Sequence, residues 1–131
     1  MLFRSSIEMT FNSEMLAKLE LQFDENFGLG SRFTMGEEAI FLSDVKSKNQ
    51  QLIIEPQVVV VHPPVSTDDT ISFEERYYIQ GAFFKRVTNM NYYFGLFLKV
   101  FFDVKQNKIK MSQVFSAIKN ANRGKNDFLN Y

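Results

Sequence analysis

The chain has 131 residues, and its 15 Lys and Arg balance 15 Asp and Glu to a formal net charge of zero. That length supports one domain with a real core, because a chain this size buries roughly two thirds of its unfolded surface. The balanced charge argues against a general nucleic-acid binder, which needs excess Lys and Arg to meet phosphates. With no cysteine, disulfides, thiolate nucleophiles and Cys-based zinc sites are excluded, and a cytoplasmic address fits.

The opening stretch MLFRSSIEMTF holds no apolar run of signal-peptide length. Residues 5–11 alternate weakly, with Ile7, Met9 and Phe11 on one face, and read as a short strand. Asn12 or Ser13 then caps a helix whose apolar stripe is Met15, Leu16 and Leu19. Residues 23–31, FDENFGLGS, form a loop in which two glycines permit positive φ and close backbone approach. Gly36-Glu37-Glu38 opens a second helix, from Glu37 to about Lys48. Its first-turn acids suit the positive end of the helix dipole, and Ile40, Phe41 and Val45 can face a core.

Residues 51–54 and 58–62 read as strands broken by Glu55-Pro56. The four consecutive valines before His62 suggest a strand covered on both faces. Pro63-Pro64 ends it, since neither proline can donate to a ladder. Residues 65–70 connect to a helix capped by Ser72, with Glu75 three positions later, that runs to about Thr88. Further helices are expected over 92–104 and 111–123. The latter carries Val114, Phe115, Ile118 and Ala121 on one face, with Gly124 as its stop, and the tail after it reads as frayed. The most apolar segment, 92–102, is about half the ~20 residues of a spanning helix, and Lys99 interrupts it. The chain therefore should not cross a bilayer, although it could lie on one.

Most catalytic signatures are missing from the sequence. GxxxxGK[ST], GxGxxG and GxSxG are all missing. A single His62 and no Cys argue against a protein-only metal cage. What remains is an ordered series: FDENFGLG at 23–30, GEE at 36–38, then Pro56 and the strand ending in Val61-His62. This order resembles the C-terminal, acceptor-side half of bacterial family 2 glycosyltransferases of the GT-A fold, over roughly residues 3–88. The segment RYYIQGAFFKR at 76–86 also looks like the helix that follows the sheet in several such enzymes.

The resemblance implies an α+β chain, a fragment of an α/β GT-A fold, with a short mixed sheet packed by helices. It would divide into an acceptor-side portion at 1–88 and a helical C-terminal extension at 89–131. It implies an inverting transfer of sugar from a nucleotide-sugar donor to a glycan or lipid-linked acceptor. Glu38 would be the general base, although family members often carry Asp there. Glu37 would bind acceptor or support Glu38. His62 would be a ligand to a divalent Mg or Mn ion or a contact to the diphosphate. No Asp-x-Asp is present to hold that metal, and no donor half precedes the loop, so the chain alone is expected to be inactive.

Other readings stand beside these. Glu37 and Glu38 also serve as helix-start electrostatics, and His62 as a strand-end polar group. Phe27, Phe33 and Phe41 are either core or an aromatic platform for the acceptor. Arg76, Lys85 and Arg86 are either a solvated helix face or contacts to lipid phosphates or the leaving diphosphate. The whole chain could instead be a non-catalytic module for homo-oligomerisation, or for docking at the inner face of the membrane. In the membrane reading, aromatic and basic residues alternate from Arg76 to Lys110.

Overall fold

Capping chemistry sets the first element of the computed structural model, which describes residues 9–53, 71–88 and 91–130. The Asn12 side chain accepts from the Met15 N–H at 3.0 Å and starts helix α1, Ser13–Leu19. Glu20 ends it in the left-handed region. Helix α2 spans Glu37–Ser47 and buries Ile40, Phe41 and Val45, the three residues expected to face a core. Phe23 stacks on Phe41 at 4.5 Å and Phe11 meets the same ring edge-on at 4.8 Å. These elements belong to the first of two compact units, Met1–Ser66.

The second unit, Thr67–Tyr131, has only helices as regular elements among its described residues. Helix α3, Phe73–Thr88, starts where the Ser72 hydroxyl accepts from the Glu75 N–H at 3.2 Å. Helix α4 follows at Tyr92–Lys105. A 3-10 turn at Met111–Gln113 leads into helix α5, Val114–Leu129. Tyr77, Tyr92, Leu96, Val100, Ile109, Ala117 and Ala121 form the core of this unit.

Helices α3 and α5 meet through two glycines. A methyl group on Gly81 would land on the carbonyl oxygen of Ala121, and one on Gly124 would land on that of Tyr78. The expected stop at Gly124 is therefore corrected: it sits inside α5, where its missing side chain admits the neighbouring backbone. The tail is corrected with it, since the helix continues to Leu129 and Asp127 accepts from the Tyr78 hydroxyl at 2.9 Å. The buried face of α5 is Ala117, Ala121 and Gly124, while Phe115 is 79% exposed. Close helix approach selects the small residues at the crossing, Phe115 turns outward, and Val114 packs at the core's edge.

Among the described residues there are five α-helices and no sheet, with one isolated bridge between Phe27 and Phe33. This overturns the expected α+β fold with a mixed sheet. Residues 9–11, from the expected first strand, and 51–53, from the second, belong to no ladder. Three alternating apolar residues are a weak strand signal, and a strand is stable only when neighbours pair with it. The expected strand at 58–62 lies outside the described residues.

Buried polar groups tie the helices of the second unit together. Asp103 is 4% exposed and accepts from the Tyr77 hydroxyl at 2.7 Å. Both its oxygens accept from the Lys99 ammonium at 2.7 Å. Burial, with the hydrogen bond to Asp103 and that residue's charge, holds the Tyr77 hydroxyl well above the usual tyrosine range. The Tyr92 hydroxyl donates to Asn122 Oδ1 at 3.2 Å, and burial pushes it up to about 12.

Candidate functional site

The loop over residues 23–33 closes on itself through its own backbone. Asp24 Oδ1 accepts from the Asn26 backbone N–H at 3.1 Å, a side-chain-built turn. The Phe33 N–H donates to the Asn26 carbonyl at 3.1 Å, and the Gly28 N–H donates to the Phe33 carbonyl at 2.8 Å. The Ser31 hydroxyl lies 2.7 Å from the Gly28 carbonyl and 2.9 Å from that of Phe33. Phe27 and Phe33, 4% and 0% exposed, stack beneath the loop at 5.0 Å. Gly28 has φ 110°, a conformation side-chain-bearing residues rarely adopt.

Gly28 also brings the two sequence motifs together. A Cβ placed on it would stand 2.9 Å from Glu37 Cδ and 3.0 Å from Glu37 Oε1. The Glu37 carboxyl thus packs on the turn that FDENFGLG makes. Gly36, at φ 105°, turns the chain into α2, and the first helical bond runs from the Ile40 N–H to the Gly36 carbonyl at 3.0 Å. Glu37 and Glu38 occupy the first turn, where free N–H groups favour negative charge.

Burial raises the Glu37 carboxyl above the usual carboxylate range. Its own backbone N–H pulls the other way, and the charge of Glu38 and a hydrogen bond with it add to the rise. Glu38 follows one residue along the helix, so the two side chains leave the axis roughly 100° apart.

Phe27, Phe33 and Phe41 are buried core residues, which closes them to a sugar ring. The aromatic and apolar surface near the loop comes instead from Phe23 and from Leu29, the latter 82% exposed at the loop tip. Arg76, Lys85 and Arg86 are half-buried on α3 in the second unit, each with interactions of its own. His62 lies outside the described residues. Among the described residues no three His, Asp or Glu side chains come together as metal ligands.

Sequence reasoning missed the contact of Gly28 with Glu37 and the lock made by Ser31. The paired glycines signalled a tight turn but not what the turn would touch. No protein-family model, curated protein or solved structure matches the chain. The likeness to family 2 glycosyltransferases therefore rests on the residues quoted for it.

Proposed function

We propose that the 23–33 loop and the start of α2 form the acceptor-side carboxylate site of an inverting sugar transferase. The observation that carries this reading is the packing of the Glu37 carboxyl on Gly28, which joins the two motifs into one site. An acceptor hydroxyl is a poor nucleophile at neutral pH, and a positioned carboxylate takes its proton as it attacks. The acceptor oxygen bonds to the anomeric carbon while the bond from that carbon to the nucleotide diphosphate breaks. The electron pair leaves on the phosphate oxygen, and the hydroxyl proton passes to Glu38. Glu37, held above the usual carboxylate range by burial, orients the acceptor from its place on the loop.

The donor is a nucleotide sugar bound by a different part of the enzyme, since these residues spell no Asp-x-Asp. The family resemblance brings with it an expected Mg or Mn ion. The described carboxylates do not assemble a set of ligands for one. No helix among the described residues is long and apolar enough to cross a membrane, which is compatible with work on the cytoplasmic side.

Two measurements test the reading. In an NMR titration with methyl glucoside, methyl galactoside, methyl mannoside and lactose, at least one sugar should perturb the amides of residues 26–38. In a protein joining this chain to a nucleotide-sugar-binding half, Glu38→Gln should lose at least about 100-fold in kcat with donor binding retained. No perturbation by any sugar removes the acceptor site. Undiminished turnover removes Glu38 as the base.

A further inference from the structure

Helix α4 is apolar on the face turned away from its own core. Tyr92, Leu96 and Val100 point inward and are buried. The opposite face presents Phe94 and Phe97, each 64% exposed, and Phe101 at 51%, with Leu98 beside them. Phe97 and Phe101 stack at 6.3 Å, so the face is a continuous aromatic strip. A helix apolar all round belongs inside a larger core or against lipid, and an exposed apolar strip marks a contact surface.

Charge identifies what that surface meets. From Arg76 to Lys125 the sequence carries ten Lys or Arg and a single acid, Asp103. That acid is buried and already held by Lys99. From Met1 to Glu75 the balance reverses, with thirteen Asp or Glu against five Lys or Arg. The neutral total thus conceals a net positive second unit, Thr67–Tyr131, with ten Lys or Arg against six Asp or Glu. Lys105, at the end of α4, and Lys108 and Lys110, just beyond it, are all exposed.

We infer that the outer face of α4 docks on the surface of an anionic lipid bilayer, independently of the Glu37 and Glu38 site. The phenylalanines enter the boundary between headgroups and acyl chains, and the lysines meet the anionic headgroups. The helix lies on the bilayer, since it has 14 residues and does not reach across. A second copy of the chain is the weaker occupant. In a two-fold interface with parallel α4 helices, these lysines would face one another.

The test is flotation of the full chain with phosphatidylcholine vesicles, with and without about a third phosphatidylglycerol. Anionic vesicles should carry at least about tenfold more protein, and salt should reduce the difference. Phe97→Ser with Phe101→Ser should weaken binding at least about tenfold. Lys105→Gln, Lys108→Gln and Lys110→Gln together should weaken it roughly fivefold per lysine on anionic vesicles only. All five side chains are exposed, so the far-UV circular dichroism should not change. Equal flotation with both vesicle types, or none, overturns the inference. So does a solution dimer that the two Phe changes dissociate, which would make the occupant a second copy. Tighter retention of a single-stranded oligonucleotide than of anionic vesicles would assign the basic surface to nucleic acid and overturn it as well.

Discussion

The two units take a carboxylate out of water in opposite ways. Asp103 is buried between α3 and α4 with a lysine on both its oxygens and a tyrosine hydroxyl on one. Glu37 is half-buried on a glycine turn, and the influences on it are burial, its own N–H and another acid, with no cation among them. The first arrangement gives both carboxylate oxygens a hydrogen-bond donor and fixes the packing around them. The second destabilises the charged form and leaves a carboxyl that takes up a proton easily. A buried acid paired with a cation is part of a scaffold, whereas Glu37 keeps its carboxyl at a helix start and a loop turn with burial working against its charge.

The largest effect should come from breaking the scaffold side of this comparison at its closest contact. Gly81→Ala or Gly124→Ala drives a methyl group into a backbone carbonyl on the facing helix. Neither backbone can withdraw without separating α3 from α5. Each substitution should lower the stability of the second unit by about 3 kcal/mol or more, measured by thermal unfolding followed at the helical circular dichroism band. A loss under about 1 kcal/mol would mean that the two helices can move apart at little cost.

Replacing each acid by its amide sharpens the comparison, because the two changes should have opposite signs. Asp103→Asn keeps the size but removes the charge that Lys99 and Tyr77 were arranged around. One amide group then faces two donors and offers a single oxygen. The expected cost is about 2 kcal/mol, read from denaturant unfolding. The same change made in a Lys99→Met background should cost less, since the stranded ammonium is gone. Equal costs in the two backgrounds would show that the Lys99 pair contributes nothing.

Helix positions were legible in the sequence where caps and first-turn acids marked them. Asn12, the Glu37-Glu38 pair and Ser72 each sit where an α-helix starts. The sheet was misread over the described residues 9–11 and 51–53 because short apolar runs look like strands locally, while pairing is a non-local property that no run carries by itself. The α5 face was read in part: Ala121 and Val114 pack on the core as expected, but Phe115 and Ile118 do not, for a related reason. Val114, Phe115 and Ile118 outweigh Ala117 and Gly124 in hydrophobicity, but the crossing with α3 is so close that only small side chains fit. Of the candidate site, the order of the two motifs was legible and their contact was not. Gly28 reaches Glu37 through a turn whose shape depends on Ser31 and on the bond between Asn26 and Phe33.

The smallest effect is the most diagnostic of the site. Burial raises the Glu37 carboxyl above its ordinary value of 4.5, so the folded chain holds that proton more tightly than the unfolded chain. The stability this contributes is fully present below the unfolded-state value. It is lost as pH climbs through the raised folded-state value. At neutral pH the wild-type chain has therefore lost it and keeps a charged group in a poorly hydrated place. Glu37→Gln cannot ionise and keeps the contribution. The variant should match wild type near about pH 4 and become the more stable of the two toward about pH 7, seen as a melting-temperature difference that opens with pH. A difference that stays flat across this range, or a glutamine variant less stable at neutral pH, would place Glu37 in water. The carboxyl would then be helix-start electrostatics and no more, and the contrast with Asp103 would reduce to one buried acid and one exposed one.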